Sequence, residues 1–134
     1  MSRPGALCSI VVTALGAVAL SGCGGTGVAS PASVDLAQGK QLFVSTCGIC
    51  HTMSEAGTTG TTGPNLDGAY AADRIIGMKE SSFEAMVRDQ IDLADPPMPR
   101  HLLKGADASD VAAYVAKVAG IKLAQEYNPG YSPP

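Results

Sequence analysis

Cys47-Gly48-Ile49-Cys50-His51 places two thiols and an imidazole within five consecutive residues, and no other stretch limits so tightly what this chain can fold around. Two sulfurs three positions apart, with a histidine directly after the second, have few uses: a redox dithiol, a metal site, or the attachment point of a covalent cofactor. A thioredoxin-like dithiol needs strand, helix and strand around it, and this pattern is missing here. A structural zinc needs a fourth ligand, for which His101 is the remaining histidine.

The rest of the chain explains why it needs such a group. With 134 residues, two Phe, four Tyr and no Trp, it has little bulk to bury. Domains of this kind take their stability from disulfides, a metal, a cofactor or a partner. Two further cysteines lie in the N-terminal part. Residues 1–22 read as a leader, with Arg3 in a short polar start, an apolar run from Ile10 to Leu20 too short to span a bilayer, and small residues before Cys23. Leu20-Ser21-Gly22-Cys23 resembles the lipobox of bacterial lipoproteins, which implies cleavage before Cys23, acylation of its sulfur, and loss of Cys8 with the leader. An uncleaved anchor or an ordinary secretory signal is the alternative. Residues 24–34 are small and uncharged, a flexible tether with an r.m.s. reach of roughly 18 Å, so that 23–34 forms a lipidated linker. Without the leader the chain carries eight basic against twelve acidic residues, a formal charge of −4 that excludes nucleic acid as a partner.

Three helical stretches follow, and no run alternates as a strand, so the fold class is all-α. The first starts with Asp35 as N-cap and Gln38 three residues on, carries Leu36, Phe43 and Cys47 on one face, and contains Gly39, which points to close packing of another helix. The second opens at Ser81 with Glu84, presents Phe83, Met86, Val87 and Ile91 as a core stripe, and ends before Pro96-Pro97. Asp107 caps the third, whose face is Val111, Tyr114, Val115 and Val118, with Gly120 as its stop. Residues 53–79 and 92–106 read as long irregular segments, which in a compact domain implies that they wrap a large ligand. Residues 121–134 read as a loose Pro-rich tail.

The spacing of Cys47, Cys50 and His51 is the one by which a haem is tied to a polypeptide. Each thiol adds across one vinyl group of the porphyrin, and the turn between them lets His51 reach the iron. What fills the sixth position decides between an electron carrier and a protein that handles small ligands. Among the methionines, Met53 is too near His51 and Met86 reads as core, which leaves Met78 and Met98. Met98 is favoured because the prolines of "DPPMPRH" stiffen the backbone around it, with His101 as a further rival.

With these residues in hand, residues 35–120 resemble a class I cytochrome c with one haem. The resemblance rests on Gly39 and Phe43, the CGICH motif, "TGPNL" from Thr62 to Leu66, Met98 before Pro99, and Tyr114-Val115. It implies a cytochrome c fold of three to five helices around one covalently attached haem c. Gly39, Phe43 and Tyr114 would lie at a helix crossing, and the Pro64 carbonyl would accept the ring N–H of His51. It further implies His51 and Met98 as axial ligands, and an electron carrier, not an enzyme, cycling Fe(II)/Fe(III) in a respiratory chain. The carrier would be exported and lipid-anchored to the membrane through Cys23, on the outer face of the cytoplasmic membrane or in the periplasm, exchanging electrons with redox partner proteins. Arg74 is the favoured haem-propionate partner, ahead of Tyr70, Arg88 and Arg100. Ile49 would sit in a docking patch at the exposed ring edge, flanked by Lys40, Lys79 and Lys104. The rival functions are a haem-based sensor or peroxidase-like enzyme with an open sixth position, and a fixed cytochrome subunit of a larger oxidoreductase.

Overall fold

The computed structural model describes residues 33–133; the leader and Cys23 lie outside the described residues. Helix α1 (Leu36–Leu42) runs on as a π-helical turn, Phe43–Cys47. A minimal antiparallel hairpin of β1 (Thr52–Met53) and β2 (Thr58–Thr59) follows, then α2 (Leu66–Ile75), α3 (Glu80–Leu93), α4 (Gly105–Val118) and α5 (Ile121–Tyr127).

The organising contact is the crossing of α1 with α4. Asp35 caps α1 as its sequence implies, its Oδ1 accepting from the N–H groups of Ala37 at 2.9 Å and Gln38 at 3.0 Å. Its own N–H donates not to Gln38 but to Asp110 Oδ1 on α4, at 3.0 Å, so the cap is also a tie between helices. At the crossing Gly39 lies so close to α4 that a Cβ there would overlap the Asp110 carbonyl and stand 2.9 Å from the Tyr114 Cβ. Phe43 and Tyr114 follow, with ring centroids 6.2 Å apart and planes tilted by 58°. Helix α4 is buried on nearly every side, from Ala108 through Ala116, which its alanines and valines permit. Helix α3 packs along it through Val87 and Ile91, completing the core with Phe43, Met53, Val111 and Val115.

Several local expectations change. Helix α2 lies inside a segment that reads as irregular; its start is fixed by Asn65, whose Oδ1 accepts from the Asp67 N–H at 2.9 Å. Helix α3 begins at Glu80 after Lys79, without a side-chain cap, so the Ser81/Glu84 box is not formed. Helix α4 begins at Gly105, and Asp107 sits in its first turn, where its charge favours the helix dipole without capping it. Leu36 is 42% exposed rather than core-facing. Gly120, at φ 76°, stops α4 as expected, but the chain then forms α5 instead of a loose tail, and Ala124 is fully buried where α5 packs on α2.

Two buried charges on α2 lock that corner. Asp67 accepts from Ser54 N–H at 2.7 Å and from Gly120 N–H at 3.0 Å, joining the hairpin, α2 and the α4–α5 turn. Arg74, 3% exposed, donates from Nε and Nη2 to the Ala119 and Ala116 carbonyls at the end of α4, and its guanidinium lies 4.8 Å from the Phe83 ring centroid.

The Tyr114 hydroxyl is buried without a hydrogen-bond partner. Burial first, then the carboxylates of Glu55 and Asp67, push it up to about 12. Tyr114→Phe is therefore expected to leave stability unchanged or raise it by up to about 1 kcal/mol, since it removes a desolvated, unpaired group. The sign with pH follows from the raised value. An unfolded tyrosine ionises near about 10 while the folded one holds its proton, so unfolding releases a proton between about pH 10 and 12 and stability falls across that window. Denaturant titrations at pH 9 and pH 11 should show a smaller loss of stability in the phenylalanine variant.

Candidate functional site

The π-helical turn delivers the sulfur pair. Its wider winding closes on Gly48, whose N–H donates to the Phe43 carbonyl at 2.8 Å. The Cys47 carbonyl then accepts from both Cys50 N–H (3.0 Å) and His51 N–H (2.9 Å), folding Cys47 to His51 into one tight turn. Both cysteines are free and half-buried. Burial, with a further contribution from Cys50, pushes the Cys47 thiol up to about 11, so it is held protonated at neutral pH.

The Thr62-Gly63-Pro64 stretch lies against the imidazole. Gly63 N–H donates to the Cys50 carbonyl at 2.8 Å, and a Cβ on Gly63 would come within 2.5 Å of His51 Cε1. Only a glycine lets this strand lie flat on the ring. The next residue supplies the orienting contact: His51 Nδ1 is 2.9 Å from the Pro64 carbonyl oxygen. A carbonyl only accepts, so the proton is on Nδ1 and the lone pair of Nε2 is left for a metal.

Both thiols and His51 open on one cleft of about 710 Å³, within the range of cofactor sites. Its wall takes Tyr70 from α2, Val87 and Ile91 from α3, Val111 and Val115 from α4, and Met98 from the segment between α3 and α4. Met98 is half-buried there, with its N–H donating to the Asp95 carbonyl at 3.2 Å. Met78 and His101 do not line the cleft; His101 is exposed, its Nδ1 3.6 Å from Asp92. Met53 is fully buried in the core.

Two assignments are corrected. Met86, expected in the core, lines the cleft and is 40% exposed, because it stands one position off the Phe83, Val87, Ile91 stripe. Arg74, expected beside a haem propionate, is absent from the lining because its donors are spent on the end of α4. Arg88 is turned to the Gly105 carbonyl and Ser109, and Arg100 to the Ala94 carbonyl and Asp95. Among the described residues no Lys or Arg lines the cleft, whereas Asp73, Asp89 and Asp95 do. Tyr70 is the one propionate candidate that lines it, its hydroxyl pushed up by burial and then by Asp73. Ile49 is 73% exposed beside the attachment turn.

The residues present fit a covalently attached haem. Two free thiols, an imidazole with its outer nitrogen tied to a carbonyl, and a thioether share one apolar-walled cavity. Sequence reading missed Gly63 as a surface for His51, and it missed the corner built by Asp67 and Arg74. A carboxylate directly after Asn65-Leu66 was the available signal for Asp67.

Comparison with known proteins points the same way. The family model for cytochrome c matches residues 36–119. Among solved structures, the c-type cytochrome SorU from Sinorhizobium meliloti is similar at 30% sequence identity with a TM-score of 0.51, the match covering 63% of this chain and 91% of that chain.

Proposed function

This chain belongs to the cytochrome c family, with one covalently bound haem c and haem-based electron transfer as its activity, and from that premise we propose that it is a monohaem class I carrier with His51 and Met98 as axial ligands. The observation that carries the reading is the 2.9 Å contact between His51 Nδ1 and the Pro64 carbonyl, which leaves Nε2 free in a cleft that also holds Met98 and both thiols.

When bound, the haem supplies an iron that takes up and gives back one electron. Cys47 and Cys50 hold it as thioethers, and the Pro64 carbonyl fixes the His51 tautomer and raises the basicity of Nε2. The Met98 thioether, a soft ligand, would favour the ferrous state, and the apolar wall from α3 and α4 would exclude water and disfavour the extra ferric charge; both would raise the potential. With His51 and Met98 both supplied by the protein as ligands, little would have to move during transfer. A respiratory role fits a raised potential, and redox proteins are the partners.

Export and attachment to a membrane follow from the leader and Cys23. Among the described residues no helix is long and apolar enough to cross a membrane; the anchor proposed from the Leu20-Ser21-Gly22-Cys23 stretch is an acyl chain on Cys23. The protein would then work on the outer face of the cytoplasmic membrane or in the periplasm.

Carbon monoxide tests the ligand set. The ferrous holoprotein is expected to take it up slowly or not at all at neutral pH, while fast stoichiometric uptake would overturn the carrier in favour of a sensor or peroxidase-like enzyme. In the same preparations Cys23→Ser should move the red protein from the membrane fraction to the soluble one.

A further inference from the structure

The cleft holds a second thioether. Helix α3 directs Phe83, Val87 and Ile91 into the core at 1%, 8% and 3% exposure, but Met86 lines the cleft at 40% exposure, and Gln90, one turn along, lines it too. The two sulfurs are held differently. Met86 is part of a 14-residue helix packed along α4, whereas Met98 belongs to a stretch without regular structure between α3 and α4. The ties on that stretch include the Met98 N–H to Asp95, the exposed Arg100 to Asp95 ion pair, the Arg100 contact with the Ala94 carbonyl, the His101 N–H to the Ile91 carbonyl, the exposed His101 Nδ1 contact with Asp92 and the packing of Leu103 on the core. Exposed ion pairs of this kind add about 0–1 kcal/mol. A methionine side chain has three rotatable bonds and a polarisable sulfur, so one on the fixed wall can reorient within the cleft without its helix moving.

We propose that Met86 is a reserve axial ligand, taking the sixth position whenever Met98 is withdrawn. One iron–sulfur bond breaks and another forms, with no change in oxidation state and no proton moved. The inference rests on Met98 being the resting ligand, and it sharpens the carrier reading. A displaced loop would not open the iron to small molecules, because a second sulfur closes it.

The test uses ferric and ferrous holoproteins bearing Met98→Ala, Met86→Leu and both changes together. In the ferric state Met98→Ala is expected to keep a thioether–iron charge-transfer band at a shifted wavelength, Met86→Leu to keep the wild-type band, and the double variant to have none. In the ferrous state, with most iron closed by Met86, carbon monoxide uptake by Met98→Ala should be about tenfold or more slower than in the double variant, since only the open fraction binds. If Met98→Ala shows no band and takes up carbon monoxide as fast as the double variant, the reserve role is overturned while Met98 stands as ligand. If Met86→Leu alone loses the band, or the wild type has none, the assignment of Met98 itself falls and the reserve role with it. Met98→Leu, which keeps the side-chain volume, replaces the alanine variant should that chain fail to accumulate.

Discussion

Replacing Cys47 and Cys50 together by serine is expected to give a colourless chain without a cooperative unfolding transition, the largest change any substitution here should produce. The two thiols are this chain's covalent hold on the group that fills its interior. Without it, a cleft of about 710 Å³ is left between α2, α3, α4 and the attachment turn, with Met86 and Leu102 on its border half-exposed. A domain of this size holds a margin of only about 5–15 kcal/mol. Losing the contacts that a filled cleft gives a few apolar side chains, each worth about 1.5–3 kcal/mol when fully buried, consumes most of it. Haem retention after acid and organic extraction, with thermal melts followed by circular dichroism, checks the result; a colourless double variant that melts as sharply as the wild type would show that α1 and α4 carry the fold unaided. The single variants should be intermediate, each leaving one thioether.

That dependence also explains what could be read from sequence. CGICH announced its chemistry because covalent attachment demands those residue types at that spacing, whatever the surroundings. Gly39 was legible for a related reason, since a close crossing tolerates no Cβ at its centre, while the place of Phe43 and Tyr114 beside it came from the resemblance to cytochrome c. Helix α2 was hidden because its stability comes from outside itself. Asp67 and Arg74 point at the ends of α4 and α5, and only the tertiary structure reveals those partners. Arg74 shows the limit most clearly: a lone basic residue near a predicted anionic group suggests a pair, yet here the end of a distant helix provides the acceptors. Met86 was misplaced by one position of helical phase, because a stripe with neighbours at i+3, i+4 and i+8 does not fix its own edge. That edge decides whether a sulfur faces the core or the cleft.

Glycine substitutions in α1 and α2 should shift stability in opposite directions, although both sites are helical and both changes remove the same backbone freedom. At an open helical site, Gly→Ala stabilises by about 0.5–1 kcal/mol. Gly68, on α2, is such a site: a Cβ there would meet nothing within 4 Å, and Gly68→Ala should gain that amount. Gly39 is not. Its Cβ would overlap the Asp110 carbonyl and press on the Tyr114 Cβ, atoms fixed in or next to the backbone of α4 that cannot rotate away. The helices would have to separate, breaking the Asp35 to Asp110 bond and loosening the Phe43 to Tyr114 contact. Overpacking typically costs about 1–3 kcal/mol, and a clash against backbone belongs at or above the top of that range. Gly39→Ala is therefore expected to lose about 3 kcal/mol net, and Gly39→Val to prevent folding. The loss should reach the cleft, because the π-turn carrying Cys47 continues directly from α1. Denaturant unfolding of the holoproteins measures both changes; equal gains for Gly39→Ala and Gly68→Ala would mean that α1 and α4 do not meet at this distance in solution.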